Sequence, residues 1–232
     1  MTRFKVCGLT QTVDAVAAID AGADFIGLIF APSKRQLLPN QARDLLKELR
    51  TQRPSGSRNL QIVGVFVNST QEEINQISDY CGLNRIQLHG DENLKDYASV
   101  ELPIFKVIRI NPDSTPKNLL SHLEEKLKII TDAQHTPMLD TASKGDYYGG
   151  TGQPFDWSIA AELAKKYDFV LSGGLRPNNV SDAIGQVRPW AVDVSSGVET
   201  KGRKDRKKIL DFAQAVTEAD ITNYPGNVLS SK

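Results

Sequence analysis

The sequence predicts a single (β/α)8 barrel, and three observations support this prediction. Eight short apolar segments alternate with amphipathic segments along most of the chain. The short segments are apolar on both faces, as expected of parallel strands that are covered on both sides. Several of them end in polar or glycine-rich residues. A doubly wound open sheet is the main alternative, but the count of eight and the glycine-rich ends of the last two segments favour a closed barrel.

The predicted strands begin close to the N-terminus and are spaced evenly. They cover residues 4–6, 24–30, 61–67, 85–90, 104–110, 137–141, 168–175 (running into a double glycine) and 190–199 (the eighth strand with its loop). Between them, Pro39 opens one helix and Asp205 caps the last one. We therefore expect one barrel domain over residues 1–219, followed by an exposed tail over residues 220–232.

The composition argues against two classes of partner, nucleic acids and membranes. The chain has 232 residues and is 40% apolar, which is enough for a substantial core, and its 28 basic and 28 acidic residues leave no net charge. This balance argues against nucleic-acid binding. With only two cysteines, no signal-peptide core at the start and no run apolar enough to cross a bilayer, we expect a cytoplasmic protein that does not associate with membranes.

No cofactor or metal is predicted. His89, His122 and His135 do not combine with Cys7 and Cys81 at the spacing of a metal site. The chain also lacks a Walker A motif and a dinucleotide-binding glycine fingerprint. Small-molecule chemistry carried out by side chains alone is the remaining expectation for an enzyme.

Two reactive side chains stand at the ends of predicted strands. Cys7 follows the first strand, and Asp140 lies at the end of the sixth, at the same expected depth. Most free cysteines are simply small buried residues, and a carboxylate at such a position can be no more than a cap. Together, however, the two groups form a candidate pair of general base and general acid.

Further polar residues are expected near them. Gln87 and His89 share one face of the fourth strand, where they either contact a ligand or hydrogen bond within the barrel. Lys34 and Arg35 follow the second strand; they are either solvated loop residues or a clamp for an anion, and the planar guanidinium suits a carboxylate.

The last two strands end in candidate phosphate-binding turns. Gly173 and Gly174 permit close approach of the backbone to a ligand, and Ser195, Ser196 and Gly197 add hydroxyl and amide donors. Each cluster alone is typical of a tight turn, but two on adjacent strand ends favour a phosphate site. The glycine-rich loop over 142–154 is expected to be mobile and able to fold over a ligand.

These residues belong to an ordered series of motifs. The series comprises Lys5-Val6-Cys7-Gly8-Leu9-Thr10, Ser33-Lys34-Arg35, Gln87-Leu88-His89-Gly90, Leu139-Asp140-Thr141, Gly149-Gly150-Thr151-Gly152 with Phe155-Asp156-Trp157, Ser172-Gly173-Gly174-Leu175 and Asp193-Val194-Ser195-Ser196-Gly197-Val198-Glu199. In this order, from about residue 3 to about residue 215, the sequence resembles phosphoribosylanthranilate isomerase, a barrel enzyme of tryptophan biosynthesis.

The resemblance implies an Amadori rearrangement of N-(5-phosphoribosyl)anthranilate to 1-(2-carboxyphenylamino)-1-deoxyribulose 5-phosphate. It implies Cys7 as general base and Asp140 as general acid, with Arg35 and Asp193 lining the anthranilate side and the two turns holding the phosphate. A thiol with an ordinary pKa of about 8.5 needs only a modest downward shift to act as a base near neutral pH.

Some alternatives stay open. A phosphate-binding barrel of the indole-3-glycerol phosphate synthase type needs a lysine acid, for which Lys106 is the obvious candidate, and a non-catalytic sugar-phosphate binder would not depend on Cys7 or Asp140. The family often has proline where Lys201 stands, so the rigidity of this turn is in question. Both a monomer and a homodimer are compatible with the sequence.

Overall fold

Eight parallel strands close into a barrel in a computed structural model that describes residues 1–53, 60–111, 116–141 and 155–223, the side chains of 116–118 excepted. The strands follow one another around the ring in chain order, and the eighth pairs with the first. The predicted fold class is therefore confirmed, and the open sheet is excluded by this last pairing.

The element bounds are as follows. The barrel strands are β1 Arg3–Cys7, β2 Phe25–Ile29, β3 Gln61–Phe66, β4 Arg85–Leu88, β5 Ile104–Ile110, β6 Thr136–Thr141, β7 Val170–Leu171 and β8 Ala191–Val194, followed by a small hairpin of β9 Glu199–Thr200 and β10 Arg203–Lys204. The helices are α1 Thr12–Asp20, α2 Pro39–Gln52, α3 Gln71–Cys81, α4 Pro116–Asp132, α5 Trp157–Ala164, α6 Val180–Val187 and α7 Arg206–Asn223.

Local signals fix several helix ends. Pro39 is the first residue of α2, where its missing N–H costs no hydrogen bond. The Thr70 hydroxyl accepts from the Glu73 amide at the start of α3, and the Asp205 carboxylate accepts from the Lys207 amide at the start of α7. Gly82 ends α3 with a φ of 68°, a left-handed conformation that suits glycine.

The connection from β4 to β5 contains a 3₁₀ turn, Leu94–Tyr97, in place of an α-helix. Glu92 holds this connection in place from a buried position. Its carboxylate accepts hydrogen bonds from the amides of Asn68 and Gly90, at 2.8 and 3.0 Å, and from the ammonium of Lys106 at 2.6 Å. One side chain therefore ties the loops after β3 and β4 to the outer face of β5.

Alternation along the strands divides the barrel interior into two layers. The lower layer is apolar and consists of Phe25, Val63, Phe105, Val107, Met138, Val170 and Ala191. Two residues further along, the inward positions are occupied mostly by groups that line the upper cavity, among them Gln87, Asp140 and Asp193. The same alternation thus produces a packed base and a polar mouth at the carboxyl ends of the strands.

The C-terminal helix extends further than the sequence analysis expects. α7 continues to Asn223, four residues past the predicted boundary at 219, because Val216 and Ala219 keep its buried stripe going. Asp220 is 3% exposed and accepts hydrogen bonds from the amide and the hydroxyl of Thr2. The rest of the predicted tail, 224–232, and the predicted mobile loop, 142–154, lie outside the described residues.

Candidate active site

All the predicted site residues line one cavity at the carboxyl ends of the barrel strands. The structure brings together Cys7, Arg35, Gln87, His89, Asp140, Gly173, Gly174, Asp193, Ser195, Ser196 and Gly197. Lys34, the other member of the predicted cationic pair, is exposed on the loop after β2. The sequence pattern therefore predicts residues that the fold brings together. It does not predict most of the contacts among them.

Cys7 ends β1 with its side chain turned toward the cavity, and it is only 5% exposed. Burial raises the pKa of its thiol, and the neighbouring charge of Lys5 opposes this shift without cancelling it. The modest downward shift that would make this thiol a base near neutral pH is therefore not produced by these surroundings. The thiol needs further help from its surroundings to become a thiolate.

Gly27 makes room for the Cys7 side chain. It faces Cys7 in the register of β1 and β2, and a Cβ atom at position 27 would lie 2.7 Å from the Cys7 sulfur. No side chain fits at that distance. Gly27 was not identifiable from the sequence pattern, because its importance comes from the neighbouring strand.

Lys5 is a fully buried cation beside Cys7. It pairs with Asp193 across the β1–β8 ladder, and its ammonium lies 2.8 Å from a carboxylate oxygen of Asp193. Burial opposes the charge of Lys5, but Asp193 and Cys7 outweigh this effect and raise the pKa of Lys5 to about 12. Lys5 is therefore charged at neutral pH, and the carboxylate predicted to face the anthranilate is bound to it.

Asp140 lies at the end of β6, beside His89. Nε2 of His89 is 3.2 Å from a carboxylate oxygen of Asp140, and Nδ1 of His89 is 3.1 Å from the Gln87 amide nitrogen. If the amide donates to Nδ1, the neutral imidazole carries its proton on Nε2, facing the carboxyl group. Both sequence alternatives for Gln87 and His89 thus hold in part, since the pair is internally bonded and also lines the cavity.

Arg35 already has a carboxylate partner within the chain. Its Nε and Nη2 donate to the two carboxylate oxygens of Glu199 at 2.6 and 2.8 Å. Lys204 donates to the same carboxylate at 2.7 Å and to the Ser195 carbonyl at 2.9 Å. Burial alone would raise the pKa of Glu199, but the hydrogen bonds from Arg35 and Lys204 hold it below its usual value.

The Glu199 and Lys204 side chains are held by the hairpin of β9 and β10. Its two turn residues, Lys201 and Gly202, have φ values of 51° and 76°. Two successive positive φ values are those of a type I′ turn, which matches the twist of a two-stranded hairpin. A proline could not adopt the conformation of Lys201. A turn with proline at this position would therefore need another conformation. The pairing of β9 with β10 holds the turn in place, which answers the question about its rigidity.

Both candidate phosphate turns contain a position at which neighbouring atoms leave room only for glycine. A Cβ atom on Gly197 would lie 1.9 Å from the Leu175 carbonyl oxygen, and one on Gly173, whose φ is 90°, would lie 2.4 Å from the Thr141 hydroxyl. The Ser195 hydroxyl donates to the Cys7 carbonyl at 3.1 Å, which connects this turn to β1. Neighbouring protein atoms thus require glycine at both positions, and both turns line the cavity that contains Cys7.

Lys106 takes no part in this cavity. It is on the outer face of β5, where its ammonium bonds to Glu92 and to the Gly90 carbonyl. Burial lowers the pKa of Lys106. The lysine acid required by the indole-3-glycerol phosphate synthase alternative is therefore not supplied by Lys106.

Four residues of this site were not singled out from the sequence: Lys5, Gly27, Glu199 and Lys204. A signal did exist for Lys5, because it precedes Cys7 by two positions and therefore shares its face of a buried strand. Among the described residues, no cluster of three histidine, cysteine or acidic side chains is arranged for a metal ion. Within the same ranges, every helix is too short or too polar to span a bilayer.

Comparison with known proteins gives a consistent answer. Residues 4–215 match the family model described as N-(5'-phosphoribosyl)anthranilate (PRA) isomerase. The N-(5'-phosphoribosyl)anthranilate isomerases of Dehalococcoides mccartyi and Roseiflexus castenholzii are 39% and 41% identical to this chain, over 95% and 93% of it and 98% of each relative.

Solved structures agree with the sequence matches. The phosphoribosyl anthranilate isomerase of Thermotoga maritima has a TM-score of 0.78 at 35% identity, covering 94% of this chain and all of that one. Another isomerase, in complex with reduced 1-(o-carboxyphenylamino)-1-deoxyribulose 5-phosphate, has a TM-score of 0.76 at 34% identity with the same coverage. From the family model, the relatives and the barrel together, we conclude that this chain belongs to the phosphoribosylanthranilate isomerase family.

Proposed function

We propose that this isomerase converts N-(5-phosphoribosyl)anthranilate to 1-(2-carboxyphenylamino)-1-deoxyribulose 5-phosphate with Cys7 as general base and Asp140 as general acid. The observation that supports this assignment is the shared cavity. Cys7 ends β1 and Asp140 ends β6, and the two candidate phosphate turns follow β7 and β8, which lie between those strands. A sugar phosphate anchored on the turns would extend between the two groups.

The reaction begins with opening of the furanose ring. Asp140 in its protonated form gives a proton to the ring oxygen while the nitrogen lone pair expels it, which produces an open-chain protonated Schiff base. His89 is a positioning residue for this step, because its Nε2 atom lies beside the Asp140 carboxyl group. Removing that contact would leave the carboxyl group free to rotate away from the ring oxygen.

Proton removal from C2 follows. The Cys7 thiolate takes the proton from the carbon next to the iminium group, and the electron pair of that C–H bond forms the double bond of an enolamine. Tautomerisation of the enolamine to the ketone completes an isomerisation that consumes nothing. Holding the phosphate on the turns and the carboxylate near Arg35 keeps C2 within reach of the sulfur, which makes the transfer effectively intramolecular.

The direct test uses in situ phosphoribosylanthranilate, whose fluorescence is lost on conversion. Cys7→Ala and Asp140→Ala are each expected to lower kcat by about two to four orders of magnitude, the usual range for loss of a general acid or base. Cys81→Ala is the matched control, since Cys81 is equally buried but lies at the end of α3, away from the cavity.

The outcomes separate the candidate functions. An unchanged kcat in either variant would remove that residue from the mechanism. Binding of the reduced product analogue without any turnover by the wild-type protein would favour the non-catalytic sugar-phosphate binder.

Assembly and location are also proposals. A phosphoribosylanthranilate isomerase of Thermotoga maritima is described as dimeric, and we expect this chain to be a monomer or a homodimer in the cytoplasm. Light scattering of the purified protein distinguishes one 25.5 kDa chain from two, and cell fractionation tests the location.

A further inference from the structure

We propose that Lys5 is a positioning residue that supplies the counter-charge for the Cys7 thiolate, and that Asp193 determines how much of this charge Cys7 receives. The proposal rests on the function proposed for Cys7 and extends it to the fully buried Lys5 and to Asp193, which lines the cavity. It assigns Lys5 a role in preparing the base, distinct from contact with the substrate.

The geometry places the lysine and the sulfur together. Lys5 and Cys7 are two residues apart on β1 and point to the same side of the strand. A Cβ atom on Gly27 would lie 2.7 Å from the Cys7 sulfur and 3.2 Å from Cε of Lys5, so both of these atoms lie next to the same point. The end of the Lys5 side chain therefore lies close enough to the sulfur for its charge to act on the thiol.

Burial makes this neighbour necessary. A thiolate at a position that is 5% exposed loses most of its hydration, and an uncompensated buried charge is costly. Lys5 is fully buried, so water does not screen its charge as it screens the charge of a surface lysine. A cation at this place favours ionisation of the thiol more than an equally distant exposed one.

Asp193 competes with Cys7 for the same ammonium. It accepts from Lys5 at 2.8 Å and is the second negative charge beside the sulfur. Two other cations also act on Cys7, namely Lys204 from β10 and Arg35 from the loop after β2, but both are bonded to Glu199. Lys5 is the cation with the largest influence on the Cys7 thiol.

This arrangement predicts opposite effects from two substitutions. Lys5→Met removes the cation while keeping much of the side-chain volume, and it should raise the pKa of Cys7. Asp193→Asn removes the competing anion and leaves Lys5 to Cys7, so it should lower the pKa of Cys7. A role of Lys5 confined to packing the barrel would shift neither titration.

The experiment measures the iodoacetamide alkylation rate of the free protein between pH 6 and 10, with Cys7→Ser protein providing the background from Cys81. The alkylation midpoint should move up by about one pH unit in Lys5→Met, a roughly tenfold slower reaction at pH 7.5, and should move down in Asp193→Asn. Lys165→Met, at an exposed position just after the end of α5, is the matched control and should leave the midpoint unchanged.

Each outcome is decisive. The proposal would be overturned if both variants had the alkylation midpoint of the wild type. It would also be overturned if both midpoints moved in the same direction. If Lys5→Met does not fold, Asp193→Asn decides alone, since a midpoint that fails to fall contradicts competition for Lys5. Alkylation needs no substrate, so this result is independent of whether the protein turns over phosphoribosylanthranilate.

Discussion

At the scale of the residue, Arg35 is held by one carboxylate that bonds to only part of its guanidinium group. A guanidinium has two edges that each bind a carboxylate through two N–H groups. Glu199 takes the edge formed by Nε and Nη2. Among the described residues, Nη1 makes no hydrogen bond, and Arg35 lines the cavity. Under the proposed function, Glu199 orients the arginine for the substrate carboxylate.

Removing Glu199 should weaken recognition of the carboxylate. Glu199→Gln and Arg35→Ala should each raise the KM for phosphoribosylanthranilate by about tenfold to a hundredfold, in line with the loss of a hydrogen bond to a charged group. The measurement compares this substrate with N-(5-phosphoribosyl)aniline, which has no carboxylate, and the aniline KM should change little.

Arg53→Ala provides the control for that comparison, because Arg53 pairs with Asp20 on the exposed surface. Equal losses on the two substrates would show that Arg35 and Glu199 maintain the fold of the site and do not recognise the carboxylate.

Gly27 supports a second prediction at this scale. Gly27→Ala places a methyl group 2.7 Å from the Cys7 sulfur and 3.1 Å from its Cα, so Cys7 must move. We expect kcat to fall at least about tenfold and the free energy of unfolding to fall by about 1–3 kcal/mol, as for other overpacked cores. Steady-state assays and urea unfolding measure the two effects.

The matched glycine for this test is Gly185 in α6. A Cβ atom there meets nothing closer than 3.6 Å, so Gly185→Ala should retain full activity. It should also stabilise the helix by about 1 kcal/mol. An active Gly27→Ala enzyme would mean that the position of the Cys7 sulfur tolerates displacement.

At the scale of the element, Glu92 is the group that holds the one crossover without an α-helix. Burial alone would raise its pKa, but hydrogen bonds from Lys106 and from the Asn68 amide hold the pKa of Glu92 below its usual value. A lowered pKa means that the carboxylate stabilises the folded state above the unfolded pKa, and that this contribution is lost as the pH falls through the folded pKa.

Glu92→Gln should therefore destabilise the barrel most at neutral pH. We expect the free energy of unfolding to fall by about 3 kcal/mol at pH 7, since the substitution leaves the Lys106 ammonium buried without its partner. The difference from wild type should shrink as the pH is lowered from about 5 to 3. Urea unfolding across this range measures it.

Glu124→Gln is the corresponding control, because Glu124 pairs with the largely exposed Lys166. That pair should contribute less than about 1 kcal/mol. A Glu92→Gln protein with the same small loss at every pH would remove Glu92 from its role in holding the crossover.

Elements were predictable to the extent that their signals are local. β5 matches its predicted bounds, and Pro39 and Asp205 mark the helix starts that the structure has. The type I′ turn at Lys201 was not predictable, because the family pattern often has proline there and lysine itself does not favour a positive φ. The 3₁₀ turn that replaces an α-helix between β4 and β5 was also not foreseen, since the alternation of strands and helices suggested an α-helix in every crossover.

At the scale of the whole molecule, the barrel decides which residues meet. Cys7 and Asp140 are far apart in sequence and share a cavity only because β8 pairs with β1 and closes the ring. Polar and glycine-rich residues at the strand ends were sufficient to predict many of the residues that line the cavity. The pairing of Lys5 with Asp193 was not, because it depends on the register between the first and last strands, which no local pattern specifies.

A single-turnover experiment measures directly whether the Cys7 sulfur removes the C2 proton. With enzyme in excess over phosphoribosylanthranilate, the fluorescence decay reports the chemical steps without product release. We predict that Cys7→Ala slows this decay by at least about a hundredfold while the reduced product analogue still binds. A decay within about threefold of the wild-type rate would contradict the claim.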